Sequence, residues 1–246
     1  MNLSVVLPCY NEEGNIERVV REAFAWFQEE RVQGEVVVTN DGSTDGSGGI
    51  LAALQREFPA LTVVQHPTNS GYGAAMRSGC DAATGDVIVT VDSDRQFRVR
   101  DAGKLLPLLE QSVFVAGYRE KRADPLRRKM NAMLYGFLIR FYLGIHVRDV
   151  NCALKAFRRS IWPTIRPTIG TGALYNAEIF LALQEAKIPW AQAPVPHYPR
   201  EAGTQTGAKL AVILRMFKEL AMLKKKHRLH PPTPSSKGGR GEPCNE

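Results

Sequence analysis

The first half of the chain alternates short apolar runs with amphipathic helical patterns, and this alternation constrains the fold more than any other feature. Residues 3–7, 36–39, 61–65 and 87–91 are strand-like, and helical spacing of apolar residues lies between them. Strands that alternate with helices at this spacing predict a mostly parallel sheet with helices on both faces. We therefore predict an α/β fold.

Each predicted strand is followed by a polar cluster. These clusters lie at residues 9–13, 40–45, 69–73 and 92–96. Ligands of open parallel sheets bind beyond the carboxyl ends of the strands. The sequence thus predicts that four polar loops meet at one rim and form the functional site.

The fourth cluster contains Asp92, Asp94 and Gln96, in the stretch GDVIVTVDSDRQF. Two carboxylates this close repel each other unless a positive charge lies between them. Mg²⁺ in proteins typically takes one or two carboxylates together with substrate phosphates. The spacing alone is equally compatible with a solvated turn after a strand.

Two other clusters also allow two interpretations. Asp41 either accepts a hydrogen bond from a nucleobase or forms an Asx turn that leads into the next helix. The segment 69–73 brings backbone amides to a helix N-terminus, where phosphates bind, but it matches no nucleotide-binding fingerprint. His66 and Cys152 are interpreted as packing residues.

The second half of the chain breaks the alternation. A helix predicted over 127–144 has a broad apolar face, and a basic amphipathic helix is predicted over 209–226. Six arginines are candidates for phosphate contacts, because guanidinium groups suit oxyanions, or they are surface charges. They are Arg119, Arg127, Arg128, Arg148, Arg158 and Arg200. Asp149 is either a catalytic carboxylate or the partner of an arginine.

Charge and cysteine content limit the classes of protein. The net charge of the 246 residues is +7, which suits phosphates, nucleic acid or an anionic membrane surface. Four scattered cysteines predict a reduced, cytoplasmic setting, and neither a signal peptide nor a spanning helix is expected. The Pro-, Gly- and Ser-rich residues 227–246 are predicted to be disordered.

Taken in order, LSVVLPCYNEEGNI, VVVTNDGSTDGS, NSGYGAAMRSG and GDVIVTVDSDRQF resemble the glycosyltransferases of family 2, which have the GT-A fold. DVNCALKAFRR and HYPREAGTQTGAK are similar to the branch that resembles dolichol-phosphate-mannose synthase, the polyprenyl-phosphate glycosyltransferases. The resemblance covers about residues 1–220. It implies a Rossmann-like GT-A domain over 1–226, with a nucleotide-sugar half (1–118), an acceptor half (119–226) and C-terminal amphipathic helices.

The resemblance also implies roles for individual residues. Those that would bind the nucleotide are Pro8, Tyr10, Glu12, Asp41, Gly71, Asp92 and Ser93. Asp92, Asp94 and Gln96 match the metal motif D-x-D-x-Q, for Mg²⁺ or Mn²⁺. Those that would contact acceptor or donor phosphates are Arg119, Arg128, Arg200 and Lys209. Asp94, Asp149 and Arg119 would be the catalytic residues.

Three departures from the family pattern stand out. Asn40 replaces the first Asp of the D-D-G-S turn, and Ala153-Leu154 replaces Gly-Phe after Cys152. The loop after Arg200 is longer than R-x-x-G-x-S-K, in which Lys209 would take the place of the lysine.

The function implied is inverting, metal-dependent transfer of a sugar, mannose or glucose, from a donor such as GDP-mannose or UDP-glucose. The acceptor would be a polyprenyl or dolichyl phosphate at the cytoplasmic membrane face. There the 127–144 helix would either lie in the interface or pack on the core. A membrane-protein partner or a homo-oligomer is compatible with this function, and no nucleic-acid partner is expected. The alternatives are a family 2 enzyme with a non-lipid acceptor and a non-catalytic nucleotide-sugar-binding protein.

Overall fold

A computed structural model describes residues 2–120, 126–172 and 174–200 together with Glu219, Met222 and Leu223, the side chains of 126–132 excepted. Within these residues, seven strands form one sheet in the order β3-β2-β1-β4-β6-β5-β7. The strands are β1 (Asn2–Cys9), β2 (Gln33–Asp41), β3 (Leu61–His66), β4 (Val87–Thr90), β5 (Phe114–Arg119), β6 (Lys155–Arg158) and β7 (Ala191–Val195).

Helices connect most of these strands. They are α1 (Ile16–Glu29), α2 (Ser47–Glu57), α3 (Tyr72–Ala82), α4 (Leu126–Leu143), α5 (Trp162–Ile165) and α6 (Leu174–Glu185). Leu106–Glu110 forms a short 3-10 turn with a proline in its first turn. Two further 3-10 turns are Val99–Lys104 and Arg159–Ile161.

The sheet is mostly parallel, as predicted. β1 pairs in parallel with β2 from Asn2↔Gln33 to Cys9↔Asn40, and the pairs β1–β4, β2–β3 and β5–β7 are also parallel. The exception is β6, which lies antiparallel between β4 and β5. Its register places Lys155 opposite Thr90.

The core lies on both faces of the sheet, which confirms that helices cover both. Val5 and Leu7 of β1 belong to a cluster with α1, and Val6 belongs to a second cluster with α3 and α6. Because both faces are buried, these strands are continuous apolar runs rather than alternating ones. The α1 side chains at helical spacing (Ile16, Val19, Val20, Ala23 and Phe27) are all buried.

Among the described side chains of α4, residues 133–143, only a narrow strip is buried. Tyr135, Ile139 and Leu143 pack into the second core cluster. The exposed large side chains of α4 are Met133, Leu134, Phe137, Phe141 and Tyr142.

Several predictions fall outside the described residues. They concern the Arg128 side chain, Lys209, most of the 209–226 helix and the tail over 227–246. Among the residues that the structure does describe, no helix combines the length and apolar character needed to cross a membrane.

Candidate active site

The carboxyl ends of β1, β2 and β4 meet at one rim, as predicted. The turn after β4 is tied to the end of β1, because Ser93 Oγ donates to the Pro8 carbonyl at 2.6 Å. Val91 N donates to the Val6 carbonyl at 3.1 Å and extends the pairing of the two strands toward the rim. Pro8 and Ser93, both predicted nucleotide contacts, therefore lie side by side.

The loops after β1 and β2 are joined to each other by side chains. Asn11 N donates to Ser43 Oγ at 3.0 Å, and Glu12 N donates to Ser47 Oγ at 2.9 Å. In the other direction, Thr44 N donates to Asn11 Oδ1 at 2.8 Å. The loop with Tyr10 and Glu12 is thereby fixed at the rim, and Tyr10 is exposed there.

Asp41 holds the third loop against the sheet. Its Oδ1 lies 2.6 Å from His66 Nδ1 and accepts a hydrogen bond from Ser70 N at 2.9 Å. Its Oδ2 accepts one from Gly71 N at 2.9 Å. Gly71 has φ +96°, a conformation in which other residues are strained, and α3 begins immediately after it. The predicted base contact of Asp41 and nucleotide contact of Gly71 stay predictions.

His66 is therefore not merely a packing residue, and that interpretation was wrong. Its second ring nitrogen, Nε2, lies 2.9 Å from Ser78 Oγ on α3. The imidazole links Asp41 to α3, and both its nitrogens have polar partners.

Asn40, the departure from the family's D-D-G-S turn, has a defined role. Its Oδ1 accepts a hydrogen bond from Ser43 N at 3.1 Å, and its Nδ2 donates to Gln65 Oε1 at 2.9 Å. A carboxylate could make the first bond but has no hydrogen to donate to Gln65. The amide thus closes the turn and also ties β2 to β3.

Asp92 lies just beyond β4 and carries an unused acceptor. Its Oδ1 is buried and, among the described residues, has no hydrogen-bond partner. Burial, together with the charge of Asp94, raises the pKa of Asp92 to about 7. Lys155, the Tyr72 hydroxyl and Arg119 act in the opposite direction. A buried carboxylate oxygen without a donor is costly, so this atom is suited to bind a cation.

Asp94 and Gln96 form a tight turn after Asp92. Asp94 Oδ1 accepts a hydrogen bond from Gln96 N at 3.0 Å. Arg95 between them has φ +62°, which is uncommon for a residue with a side chain, and its guanidinium donates to Glu22 of α1 at 3.0 Å. The predicted metal residues therefore lie in one turn.

Arg200 brings the second half of the chain to this turn. Its Nη2 lies 2.9 Å from Asp94 Oδ2 and 3.6 Å from Glu12 Oε1. Burial raises the pKa of Glu12, whereas Arg200 lowers it. Arg200, predicted to contact phosphates, thus lies among the carboxylates of the rim.

Arg119 and Asp149 form a two-pronged ion pair. Arg119 Nε donates to Asp149 Oδ2 at 2.6 Å, and Nη2 donates to Oδ1 at 2.8 Å. The sequence left two roles open for Asp149, a catalytic carboxylate or the partner of an arginine. In the structure Asp149 is the partner of Arg119. Arg119 is also close enough to Asp92 to lower its pKa.

Lys155 is a buried cation that the sequence interpretation missed. Its Nζ donates to the Cys152 carbonyl and, at 2.8 Å, to Asn176 Oδ1 of α6. Burial lowers the pKa of Lys155, whereas the charges of Asp92 and Asp149 raise it. The one sequence signal was a lysine inside the apolar run ALKAF, and it did not indicate what the amine contacts.

The residues at the rim fit a divalent cation whose coordination is completed by oxygen atoms of the substrate. Among the described residues, no cluster of three or more His, Cys, Asp or Glu side chains could hold a metal alone. Asp92 and Asp94 supply two carboxylates, and the unpaired Asp92 Oδ1 is a ready oxygen ligand. Two carboxylates together with phosphate oxygens are a typical Mg²⁺ environment.

The sequence profile described as glycosyl transferase family 2 matches residues 4–166. The chain belongs to glycosyltransferase family 2. The matched segment includes Asp41, Asp92, Asp94, Arg119 and Asp149, and it ends before α6.

Several curated relatives of this family 2 chain carry the name undecaprenyl-phosphate 4-deoxy-4-formamido-L-arabinose transferase. The protein from Pseudomonas fluorescens is 32% identical over 161 residues, which are 65% of this chain and 48% of the relative. The protein from Pseudomonas aeruginosa is 33% identical over the same shares. The chain therefore spans about half the length of these relatives.

Solved structures confirm the fold. Glucosyl-3-phosphoglycerate synthase from Mycobacterium tuberculosis, in complex with Mn²⁺, UDP and glucosyl-3-phosphoglycerate, has a TM-score of 0.64 at 23% identity. The match covers 89% of this chain and 80% of that one. Mannosyl-3-phosphoglycerate synthase from Rubrobacter xylanophilus has a TM-score of 0.65 at 21% identity, over 95% and 79% of the two chains.

Proposed function

We propose that this protein is an inverting glycosyltransferase that moves a sugar from a nucleotide sugar to a polyprenyl phosphate at a membrane surface. The observation that carries the proposal is the buried, unpaired Oδ1 of Asp92 beside Asp94, at the rim where three strands end. Membership of family 2 and the name of the relatives support the acceptor class.

The donor would lie along the rim between the loops after β1, β2 and β4. Asp92 and Asp94 would hold Mg²⁺ or Mn²⁺, which stabilises negative charge on the departing diphosphate. Tyr10 is exposed where a nucleobase would lie, and the loop fixed by Asp41 leads to the N-terminus of α3. GDP-mannose and UDP-glucose are the donor types we favour.

The reaction is a single displacement. An oxygen of the acceptor phosphate forms a bond to the anomeric carbon while the bond from that carbon to the diphosphate oxygen breaks. The diphosphate leaves with the electron pair, and the configuration at the carbon inverts. A phosphate monoester has a second pKa near 6 and is mostly ionised at neutral pH, so the attacking oxygen needs no strong base.

The contacts of Asp149 support this division of roles. Both of its carboxylate oxygens accept hydrogen bonds from Arg119. We assign Asp149 the role of holding the Arg119 guanidinium in place, where it would attract the acceptor phosphate or the donor diphosphate. Asp149 is then a positioning residue rather than the base that removes a proton.

Helix α4 would supply the membrane contact. Met133, Phe137 and Phe141 lie one turn apart and are exposed, and the Phe137 and Phe141 rings stack at 6.1 Å. Arg140, which lies between Phe137 and Phe141 in the sequence, is also exposed, and helices that lie on anionic lipid carry basic residues on their polar face. We place this helix in the interface, at the cytoplasmic face, where a polyprenyl phosphate is presented.

A donor panel tests the proposal. Purified protein is incubated with undecaprenyl or dolichyl phosphate, Mg²⁺ or Mn²⁺, and one of several nucleotide sugars, and glycolipid is measured by chromatography. The panel contains UDP-glucose, GDP-mannose and a nucleotide-linked 4-deoxy-4-formamido-L-arabinose. We expect one donor to give metal-dependent lipid product, and the Asp92→Asn variant to give none.

The same panel separates the alternatives. Replacing the lipid by 3-phosphoglycerate tests a soluble phosphorylated acceptor. Product with this acceptor and none with the lipid contradicts the acceptor class but not the transferase activity. Nucleotide-sugar binding without transfer to either acceptor and without hydrolysis favours a non-catalytic binding protein.

A further inference from the structure

The Arg200 guanidinium is a cation of the protein itself that lies close to both Asp94 and Glu12. The guanidinium Nη2 of Arg200 lies 2.9 Å from Asp94 Oδ2 and 3.6 Å from Glu12 Oε1. All three side chains are largely shielded from solvent. The interaction is therefore that of a half-buried ion pair, which water screens less than a surface pair.

The segment that carries Arg200 is built onto the turn that carries Asp94. Tyr198 N donates to the Gln96 carbonyl at 3.0 Å, and the Arg98 guanidinium lies 4.4 Å from the centre of the Tyr198 ring. The rings of Phe97 and His197 meet edge to face at 5.3 Å. Three contacts of different kinds thus fix the backbone that places Arg200 beside Asp94.

The charges explain why a cation is needed there. Glu12, Asp92 and Asp94 are close enough that Asp94 acts on both of the other carboxylates. Like charges at short range are unfavourable unless a positive charge lies between them. Lys155 and Arg119 compensate Asp92, and Arg200 directly contacts Asp94.

We propose that Arg200 is the resident counter-cation of the metal site and that it competes with the divalent metal for Asp94. A metal ion on Asp94 would lie within a few ångströms of the guanidinium, and two cations on one carboxylate repel each other. A nucleoside diphosphate removes the conflict because its phosphate oxygens bind the metal and the guanidinium at once.

Two opposite effects of Arg200 follow from this competition. Without nucleotide, Arg200 weakens metal binding because it holds a ligand of the metal. With a nucleoside diphosphate present, Arg200 strengthens binding because it contributes to the phosphate site. Metal and nucleotide then bind synergistically, and by thermodynamic linkage each raises the affinity of the other by the same factor. This inference rests on the metal site proposed above.

The test is Mn²⁺ binding, followed by the paramagnetic resonance signal of free Mn²⁺, with and without UDP or GDP. Arg200→Gln should bind Mn²⁺ alone about tenfold more tightly than wild type, the scale of one charge-assisted hydrogen bond. With nucleotide it should bind Mn²⁺ less tightly than wild type. Arg200→Lys keeps the positive charge but loses the planar, two-pronged guanidinium group. Its affinity for Mn²⁺ alone should fall between those of wild type and Arg200→Gln.

The matched control is Arg100→Gln, which removes the same charge from an exposed side chain paired with Glu29 on α1. It should leave both Mn²⁺ affinities at the wild-type values, and an equal rise in this variant would overturn the competition in favour of a net-charge effect. Mn²⁺ binding to wild type with nucleotide, but no tighter binding of Mn²⁺ alone to either Arg200 variant, overturns the inference and leaves the metal site standing. No Mn²⁺ binding to wild type even with nucleotide overturns the metal site itself.

Discussion

The ion pair between Arg119 and Asp149 gives the sharpest test of what Asp149 does. Its two hydrogen bonds are 2.6 and 2.8 Å long, and the side chains are only 7% and 10% exposed. Asp149→Asn keeps one acceptor but removes the charge that compensates the guanidinium. Breaking a buried ion pair costs about 3–5 kcal/mol, and the remaining acceptor places this variant near 3 kcal/mol.

The expected result is a large loss of stability with a small loss of turnover. For a chain of this size, about 3 kcal/mol lowers the melting temperature by about 6–12 °C. Turnover under saturating substrates should fall by no more than a few-fold, because a positioning residue takes no proton from the acceptor. Calorimetry and the glycolipid assay measure the two quantities on the same preparation.

The chain offers a matched control for this variant. Asp81 makes a similar two-pronged contact to Arg166, at 2.8 and 2.7 Å, but the pair is 39% and 41% exposed. Asp81→Asn should cost less than about 1 kcal/mol of pair energy because exposed ion pairs contribute little. An unchanged melting temperature for Asp149→Asn, together with a turnover loss of several orders of magnitude, would refute the positioning role and make Asp149 a base.

Three further predictions concern other parts of the molecule. Glu178→Gln should lower the free energy of unfolding by about 2 kcal/mol, measured by urea denaturation. The Glu178 carboxylate accepts hydrogen bonds from the backbone N–H groups of residues 168, 169 and 170, and the NH₂ group of a glutamine would oppose one of these donors. An unchanged urea midpoint contradicts this prediction. Burial raises the pKa of Asp92 above its unfolded value of 3.8, so the metal-free protein should lose stability as the pH rises from about 4 to 7. Thermal melts of Asp92→Asn should lack that decline, and equal slopes for variant and wild type would count against it. Replacing both Phe137 and Phe141, which are 62% and 72% exposed, by Glu should abolish co-sedimentation with anionic liposomes at an unchanged melting temperature; retained co-sedimentation removes α4 as the membrane contact.

Much of the first half of the fold could be predicted because its signals are local. Residues 3–7 and 87–91 are almost entirely apolar, and β1 and β4, which contain all of them except Val91, are buried on both faces. The rule that ligands bind at the carboxyl ends of parallel strands then placed Asp41, Asp92 and Asp94 at one rim. This placement required no knowledge of which side chains contact each other.

The second half could not be predicted in the same way because its contacts are long-range. Asp149 and Arg119 are 30 residues apart, and Arg200 and Asp94 are 106 residues apart. No periodicity indicates which carboxylate an arginine will meet. His66 was misinterpreted for the same reason, since its partners, Asp41 and Ser78, lie on two other elements.

The antiparallel strand β6 shows why the second half matters for the site. Its register places Lys155 beside Thr90, two residues before Asp92, and a parallel strand would have carried its own carboxyl end to this rim. Inserting β6 between β4 and β5 instead brings a buried amine to the base of the site, held by Asn176 and the Cys152 carbonyl. Arg119 from the end of β5 and Arg200 after β7 add two guanidinium groups.

The first half of the chain therefore contributes the carboxylates, and the second half contributes the cations that allow them to lie together. When ionised, Glu12, Asp92 and Asp94 carry like charges, and without Lys155, Arg119 and Arg200 their mutual repulsion would oppose folding. In the proposed function, two of these cations, Arg119 and Arg200, would also meet the phosphates of the donor and the acceptor. A site built this way would exchange its internal ion pairs for substrate phosphates when the donor binds. The Arg200 variants test that exchange at one of its three cations.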